Sequence, residues 1–268
     1  MSDPILLARA GSVLTLTLNR PDALNALNRA LMEAMRAALA EAAKDADVRA
    51  LLVTGAGRGF CAGADLTEPA RVVEGGPKLS LGQRTSEAMT SHFNPLVRDL
   101  YQFPKPTIAA VNGVAAGGGV GLALACDMVF AARSATFIQV FAPKLGLVPD
   151  VGSSWQLPRL VGVARARGLA FLGDRLSAED AEKWGLIWKS VDDGALMETA
   201  GGIAATLAGG PTKAFVRSRE LFDQAFENDF VEQIDLERRY QQELGDTEDA
   251  REGVMAFIQK RAPQFKGK

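Results

Sequence analysis

Pro104-Lys105-Pro106-Thr107-Ile108-Ala109-Ala110-Val111-Asn112-Gly113-Val114-Ala115-Ala116-Gly117-Gly118-Gly119 is the stretch on which the reading of this chain turns. The prolines end whatever helix precedes them, because proline lacks an N–H and clashes with the turn before it. Thr107 to Val111 is a short apolar run between turn formers, which predicts a buried strand. The glycines let the backbone turn sharply and come close to a ligand. Small residues through Leu122-Ala123-Leu124-Ala125 then read as a helix. A helix N-terminus carries free N–H groups and a positive dipole end, which suits a negative oxygen. Alone, the triple glycine fits close packing of helix on sheet equally well.

Upstream lies a second glycine-rich segment, Gly55-Ala56-Gly57-Arg58-Gly59-Phe60-Cys61-Ala62-Gly63-Ala64-Asp65-Leu66. One N–H from each loop would make a two-pronged oxyanion hole. A dinucleotide fingerprint does not fit, since Phe60 stands where the third glycine belongs, and no Gly-Lys-Ser/Thr ending follows. Before this loop come an alternating strand over Ser12–Leu18, a break at Asn19-Arg20-Pro21-Asp22, a helix capped by Asn28, and a strand over Ala50–Thr54. The helix's apolar positions are Leu31, Met35, Ala38, Leu39 and Ala42. Residues 68–81, with Gly75-Gly76-Pro77, read as a mobile connection, followed by a helix to Tyr101. Beyond the second loop, Asp127–Ala132 predicts a strand. After about Pro158 helices dominate: Ala164–Leu172, Ser177–Trp184, and three or four more from Gly194. Strand, glycine-rich turn, helix thus occurs twice, in an α/β core of residues 1–195 with a helical region over 196–268.

The chain's 268 residues, 47% of them hydrophobic, suffice for a sizeable core. A net charge of −2 gives no general attraction for nucleic acid or anionic lipid. Two distant cysteines, Cys61 and Cys126, make no disulfide framework and suggest a reducing compartment. Met1-Ser2-Asp3-Pro4 does not resemble a signal peptide, and no apolar run reaches membrane-spanning length, so a cytoplasmic protein is expected. The single histidine, His92, excludes multi-histidine zinc sites and reads as an ordinary helix residue, its neighbour Ser91 pointing elsewhere.

Taken together, Gly59–Leu66, Pro104–Gly119 and Cys126-Asp127 resemble the crotonase, or enoyl-CoA hydratase/isomerase, family. So do Asn19-Arg20-Pro21, Ala23-Leu24-Asn25-Ala26-Leu27 and Arg251–Arg261. The resemblance implies a spiral of β-β-α units with a helical C-terminal trimerisation region, assembled as a homotrimer or hexamer. It implies an acyl-CoA thioester substrate, with no separate cofactor and no metal. The oxyanion donors would be the N–H groups of Ala64 and Gly118, flanked by Gly63 and Gly117. CoA would lie along Ala23, Leu24, Ala62, Asp65 and Leu66, while Phe257 and Lys260 match positions that contact the CoA of a neighbouring subunit.

Hydratases of this family position water with two glutamates. Here the corresponding positions, the second aligned on Leu145-Gly146, hold Gly121 and Ala142, neither of which can act as acid or base. Asp150 remains, where isomerase-type members carry an aspartate. A lone carboxyl facing an acyl chain suits a one-base proton shuttle; the alternative is that it caps the helix near Ser153-Ser154-Trp155. Trp155 and Phe141 would line the acyl pocket. Gly146–Gly152, Leu157-Pro158-Arg159, Ala181–Trp188 and Pro263–Lys268 look like the ring-epoxide isomerases of phenylacetate degradation. That subgroup converts an epoxidised phenylacetyl-CoA to an oxepin-CoA and moves an enoyl-CoA double bond from position 3 to 2. The alternatives are an enoyl-CoA hydratase and, more remotely, a non-catalytic CoA-thioester or RNA-binding protein.

Overall fold

A computed structural model describes residues 3–67 and 79–268. Most of the connection expected over 68–81 therefore lies outside the described residues, as do Met1 and Ser2. β1 (Ile5–Ala10) and β2 (Val13–Leu18) form an antiparallel hairpin. Parallel strands β3 (Ala50–Gly55), β5 (Thr107–Val111), β7 (Met128–Ala132) and β10 (Lys189–Val191) continue the sheet in the order β1-β2-β3-β5-β7-β10. β3 and β5 are buried along their whole length, as strands covered on both faces must be.

A second sheet, β4-β6-β8-β9, is built from β4 (Gly59–Cys61), β6 (Val114–Ala116), β8 (Thr136–Ile138) and β9 (Arg175–Ser177). The chain alternates between the sheets: β3 then β4, β5 then β6, β7 then β8. Each pair is followed by helix. α2 (Leu81–Ala88) and α3 (Asn94–Tyr101), joined by a π turn at Met89–Phe93, follow the first pair. α4 (Gly118–Leu124) follows the second and α5 (Ser153–Leu172) the third. This β-β-α spiral carries one more strand per repeat than the periodicity shows. α1 (Arg29–Lys44) lies between β2 and β3, with Asn28 Oδ1 accepting from the Leu31 N–H at 3.0 Å and Leu31, Met35 and Leu39 buried. α5 begins at Ser153, well before the segment read as helix, and breaks its dihedrals at Gly162. The two cysteines sit in this core as free thiols, and burial raises both, Cys61 to about 12.

α6 (Ala178–Lys183) takes its cap from Ser177 Oγ, which accepts from Asp180 N–H at 3.1 Å. Four helices end the chain: α7 (Leu196–Ala208), α8 (Thr212–Gln224), α9 (Phe230–Gly245) and α10 (Glu248–Gln259). α7 lays Leu196, Ala200, Ala204 and Ala208 against the large sheet, a face at four-residue spacing whose small side chains permit close approach. α8 is fastened by Arg219, which binds both carboxylate oxygens of Asp127 and donates to the carbonyls of Tyr101, Phe103 and Lys105. The final segment turns back: Asp249 accepts from the N–H groups of Lys266 and Gly267, and Arg49 donates to the Phe265 carbonyl at 2.9 Å. Among the described residues, no helix is long and apolar enough to cross a membrane.

Candidate active site

The spiral delivers both glycine-rich loops to one place, because each leaves the same end of adjacent parallel strands, β3 and β5. Two asparagines stitch the first loop down. Asn25 Nδ2 donates to the carbonyls of Ala56 at 2.9 Å and Gly59 at 2.8 Å, while its Oδ1 accepts from Arg20 N–H at 2.8 Å. Asn112 Oδ1 accepts from Gly55 N–H at 3.1 Å, and its Nδ2 donates to Gly57 O at 2.9 Å. Sequence reasoning assigned neither a role. The available signal was a polar side chain set in an apolar run, Ala23-Leu24-Asn25-Ala26-Leu27.

Where the loops meet, Gly63 has φ +88°, and a Cβ on it would stand 2.7 Å from Ala116 O and 3.1 Å from Gly118 N. Only glycine permits that approach. Leu27 N–H donates to Gly63 O at 2.7 Å and Asp65 N–H to Leu27 O at 3.0 Å, so the Ala64 amide between them faces away from that ladder. Gly118 opens α4, and its N–H belongs to the first turn. Among the described residues, neither amide donates to another backbone carbonyl. These two unspent donors lie on loops in van der Waals contact, the arrangement that an oxyanion hole requires.

Asp150 precedes Val151, whose Cγ2 lies 3.0 Å from the point a Cβ on Gly118 would take. Asp150 Oδ1 is buried without a hydrogen-bond partner among the described residues. Burial pushes the carboxyl up from the ordinary 3.8 to about 6. It caps nothing: the cap residue of α5 is Gly152, and no side chain bonds that helix end. The capping alternative is thereby set aside. The position aligned with one hydratase glutamate, Gly121, is closed to any side chain, because a Cβ there would collide with the Val151 carbonyl. Ala142 is exposed in a π turn, Phe141–Leu145. Its neighbour Phe141 faces inward instead, with ring atoms 3.4 Å from where a Gly117 Cβ would be.

The remaining residues divide. Ala23 and Leu24 lie against the first loop, with Ala62 N–H donating to Leu24 O at 3.0 Å. Asp65 is clipped by Thr67 and by Arg20 at 2.9 Å, which together hold its carboxyl below the usual range. Leu66 is largely exposed beside them. Trp155, in the first turn of α5, meets Tyr101 edge-on at 5.5 Å and carries the Arg159 guanidinium at 3.9 Å. Phe257 and Lys260 are not brought to this chain's own loops. They end α10, whose tail is fastened at Arg49, just before β3 and at the opposite end of that strand from Gly55. Ser91 and His92, read as pointing apart, touch at 2.6 Å in the widened π turn. The Ser91 hydroxyl donates to Glu87 O at 2.6 Å, so its proton serves the helix, not a nucleophile.

The chain is similar to known proteins along nearly its whole length. Residues 8–268 match the family described as enoyl-CoA hydratase/isomerase. The chain is 50% identical over 256 residues to the 1,2-epoxyphenylacetyl-CoA isomerase of Escherichia coli K12, spanning 96% of this chain and 95% of that protein. It is 43% identical over 253 residues to a probable enoyl-CoA hydratase of Rhodobacter capsulatus, spanning 94% of each. A crystal structure of a putative enoyl-CoA hydratase/isomerase from Mycobacterium abscessus superposes with a TM-score of 0.89 at 34% identity, over 98% of this chain and 100% of that one. The crotonase-like α/β spiral with its C-terminal helices is thus shared along the whole length, and this chain belongs to the enoyl-CoA hydratase/isomerase family.

Proposed function

We propose that this enzyme isomerises an acyl-CoA thioester with Asp150 as its single proton shuttle. The observation that carries the reading is Asp150 Oδ1, buried without a partner among the described residues and next in the chain to Val151, which packs on Gly118, with the Gly121 position closed to a second acid. For a 3-enoyl-CoA, the Asp150 carboxylate takes a proton from C2. The C–H electron pair moves into a dienolate, whose oxygen accepts from Ala64 and Gly118 N–H. The carboxylic acid then returns the proton to C4, leaving the double bond between C2 and C3. A carboxyl near 6 is largely ionised at neutral pH, yet acidic enough to give the proton back.

The name of the Escherichia coli relative supports an epoxidised phenylacetyl-CoA as a second substrate, opened to an oxepin-CoA. On this reading CoA lies along Ala23, Leu24, Ala62, Asp65 and Leu66, Phe141 and Trp155 bound the acyl group, and no separate cofactor is required. The enzyme works in the cytoplasm as a trimer or hexamer, in which Phe257 and Lys260 reach a neighbour's CoA. The test is a product assay with 3-enoyl-CoA and 2-enoyl-CoA offered separately. Conversion of the first to a 2-enoyl thioester, reduced about a thousandfold in Asp150→Asn, is expected. Rapid formation of 3-hydroxyacyl-CoA would instead mean hydration.

A further inference from the structure

Val151 follows Asp150 with φ +49° and is 2% exposed. A β-branched residue in the left-handed region is an outlier, kept only where its surroundings over-determine it. Its neighbours show what the conformation achieves. On one side Cγ2 rests 3.0 Å from the side-chain space of Gly118, the helix residue that offers its amide to the oxyanion. On the other, the Val151 carbonyl fills the side-chain space of Gly121. The Ser153 hydroxyl, fully buried, stands 3.0 Å from that same point. Ser153 Oγ and Asp150 Oδ1 are both without a partner among the described residues. The volume beside Gly118 and Gly121 is thus taken up by a valine methyl group and a backbone carbonyl, which cannot carry a proton away, and by the Ser153 hydroxyl.

We propose that Val151 is a specificity-determining residue: held left-handed next to Asp150 in the chain, it fills the space at Gly118 and Gly121 that a second acid and its water would need, so the proton taken from the substrate is the proton returned. This rests on Asp150 being the shuttle. The balance is closed. The carboxylate gains the C2 proton as the C–H pair enters the dienolate, then loses that proton to C4 as the pair returns, and solvent contributes nothing.

The experiment follows initial isomerisation of 3-enoyl-CoA in deuterated water, with mass spectrometry of the 2-enoyl product. In the unaltered enzyme only a minor fraction of product carries solvent deuterium. Val151→Ala opens the space, raises that fraction about fivefold or more, and begins to yield 3-hydroxyacyl-CoA. Val151→Ile keeps the space filled by a β-branched apolar side chain and stays within about twofold of the unaltered enzyme. Solvent deuterium in most of the wild-type product overturns the proposal without any variant having to fold. An unchanged fraction in Val151→Ala overturns it too. Asp150→Asn, run alongside, separates the two readings. If it remains active the shuttle itself is wrong, whereas an inactive Asp150→Asn with unchanged Val151→Ala defeats only the role of Val151.

Discussion

Asp150 joins chemistry to stability. Its carboxyl titrates near 3.8 when the chain is unfolded and near 6 when folded, because burial disfavours the charge. The folded form therefore binds more protons between those values, and its stability falls as pH rises from about 4 to 6, then stays level. Asp150→Asn removes that penalty. It is expected to stabilise the protein by about 1–2 kcal/mol at pH 8, the full shift being discounted for partial solvent contact, and by less at pH 5. Denaturant melts at the two pH values check this. Turnover runs the other way: kcat/KM for the 3-enoyl substrate should rise through an apparent pKa near 6 and then level off. The carboxyl was legible in the sequence as the lone acid of Leu147-Val148-Pro149-Asp150-Val151-Gly152. Its isolation was not, because burial and missing partners depend on what α4 brings against it. Nor was the left-handed Val151, since a valine gives no local hint of positive φ.

Among the elements, the long apolar ones were the readable ones. Thr107–Val111 was delimited by its prolines and by Asn112-Gly113, and the caps at Asn28 and Ser177 stand as the spacing predicts. The three-residue strands of the second sheet were not readable. A run such as Gly59-Phe60-Cys61 is too short to show a period of two, and it becomes a strand only by pairing with β6. The outer strand Ile5–Ala10 was missed for a related reason. Leu6 and Leu7 both stay half-exposed at the sheet edge, so no alternation marks it. Arg219 ties two such scales together, since one side chain on α8 satisfies Asp127 and three carbonyls of the turn before β5. Arg219→Ala should cost about 3 kcal/mol in urea unfolding, because it leaves a partly buried carboxylate and several acceptors unpaired. Arg219→Lys should recover only part, having charge without the planar fork.

At the level of the whole molecule, the C-terminal helices leave large apolar side chains uncovered. Phe222, Phe226, Phe230, Val231, Phe257 and Ile258 are each more than half exposed. A self-assembled particle of three or six times the chain's mass is expected by light scattering. If Lys260 serves a neighbour's CoA, Lys260→Ala should raise KM about tenfold with kcat little changed, the mark of binding lost equally from ground and transition states. The expectation of a trimer or hexamer came only through the family resemblance, for helical periodicity does not say which apolar face remains uncovered.

Cys61 and Cys126 have a practical sequel. Both thiols are buried, and both are held protonated well above neutral pH. The folded enzyme therefore offers almost no thiolate to an alkylating dye or a spin label. A single cysteine placed on an exposed helix would be the one position that reacts. Fluorescence or paramagnetic probes could then be attached without first stripping the native sulfurs from the protein.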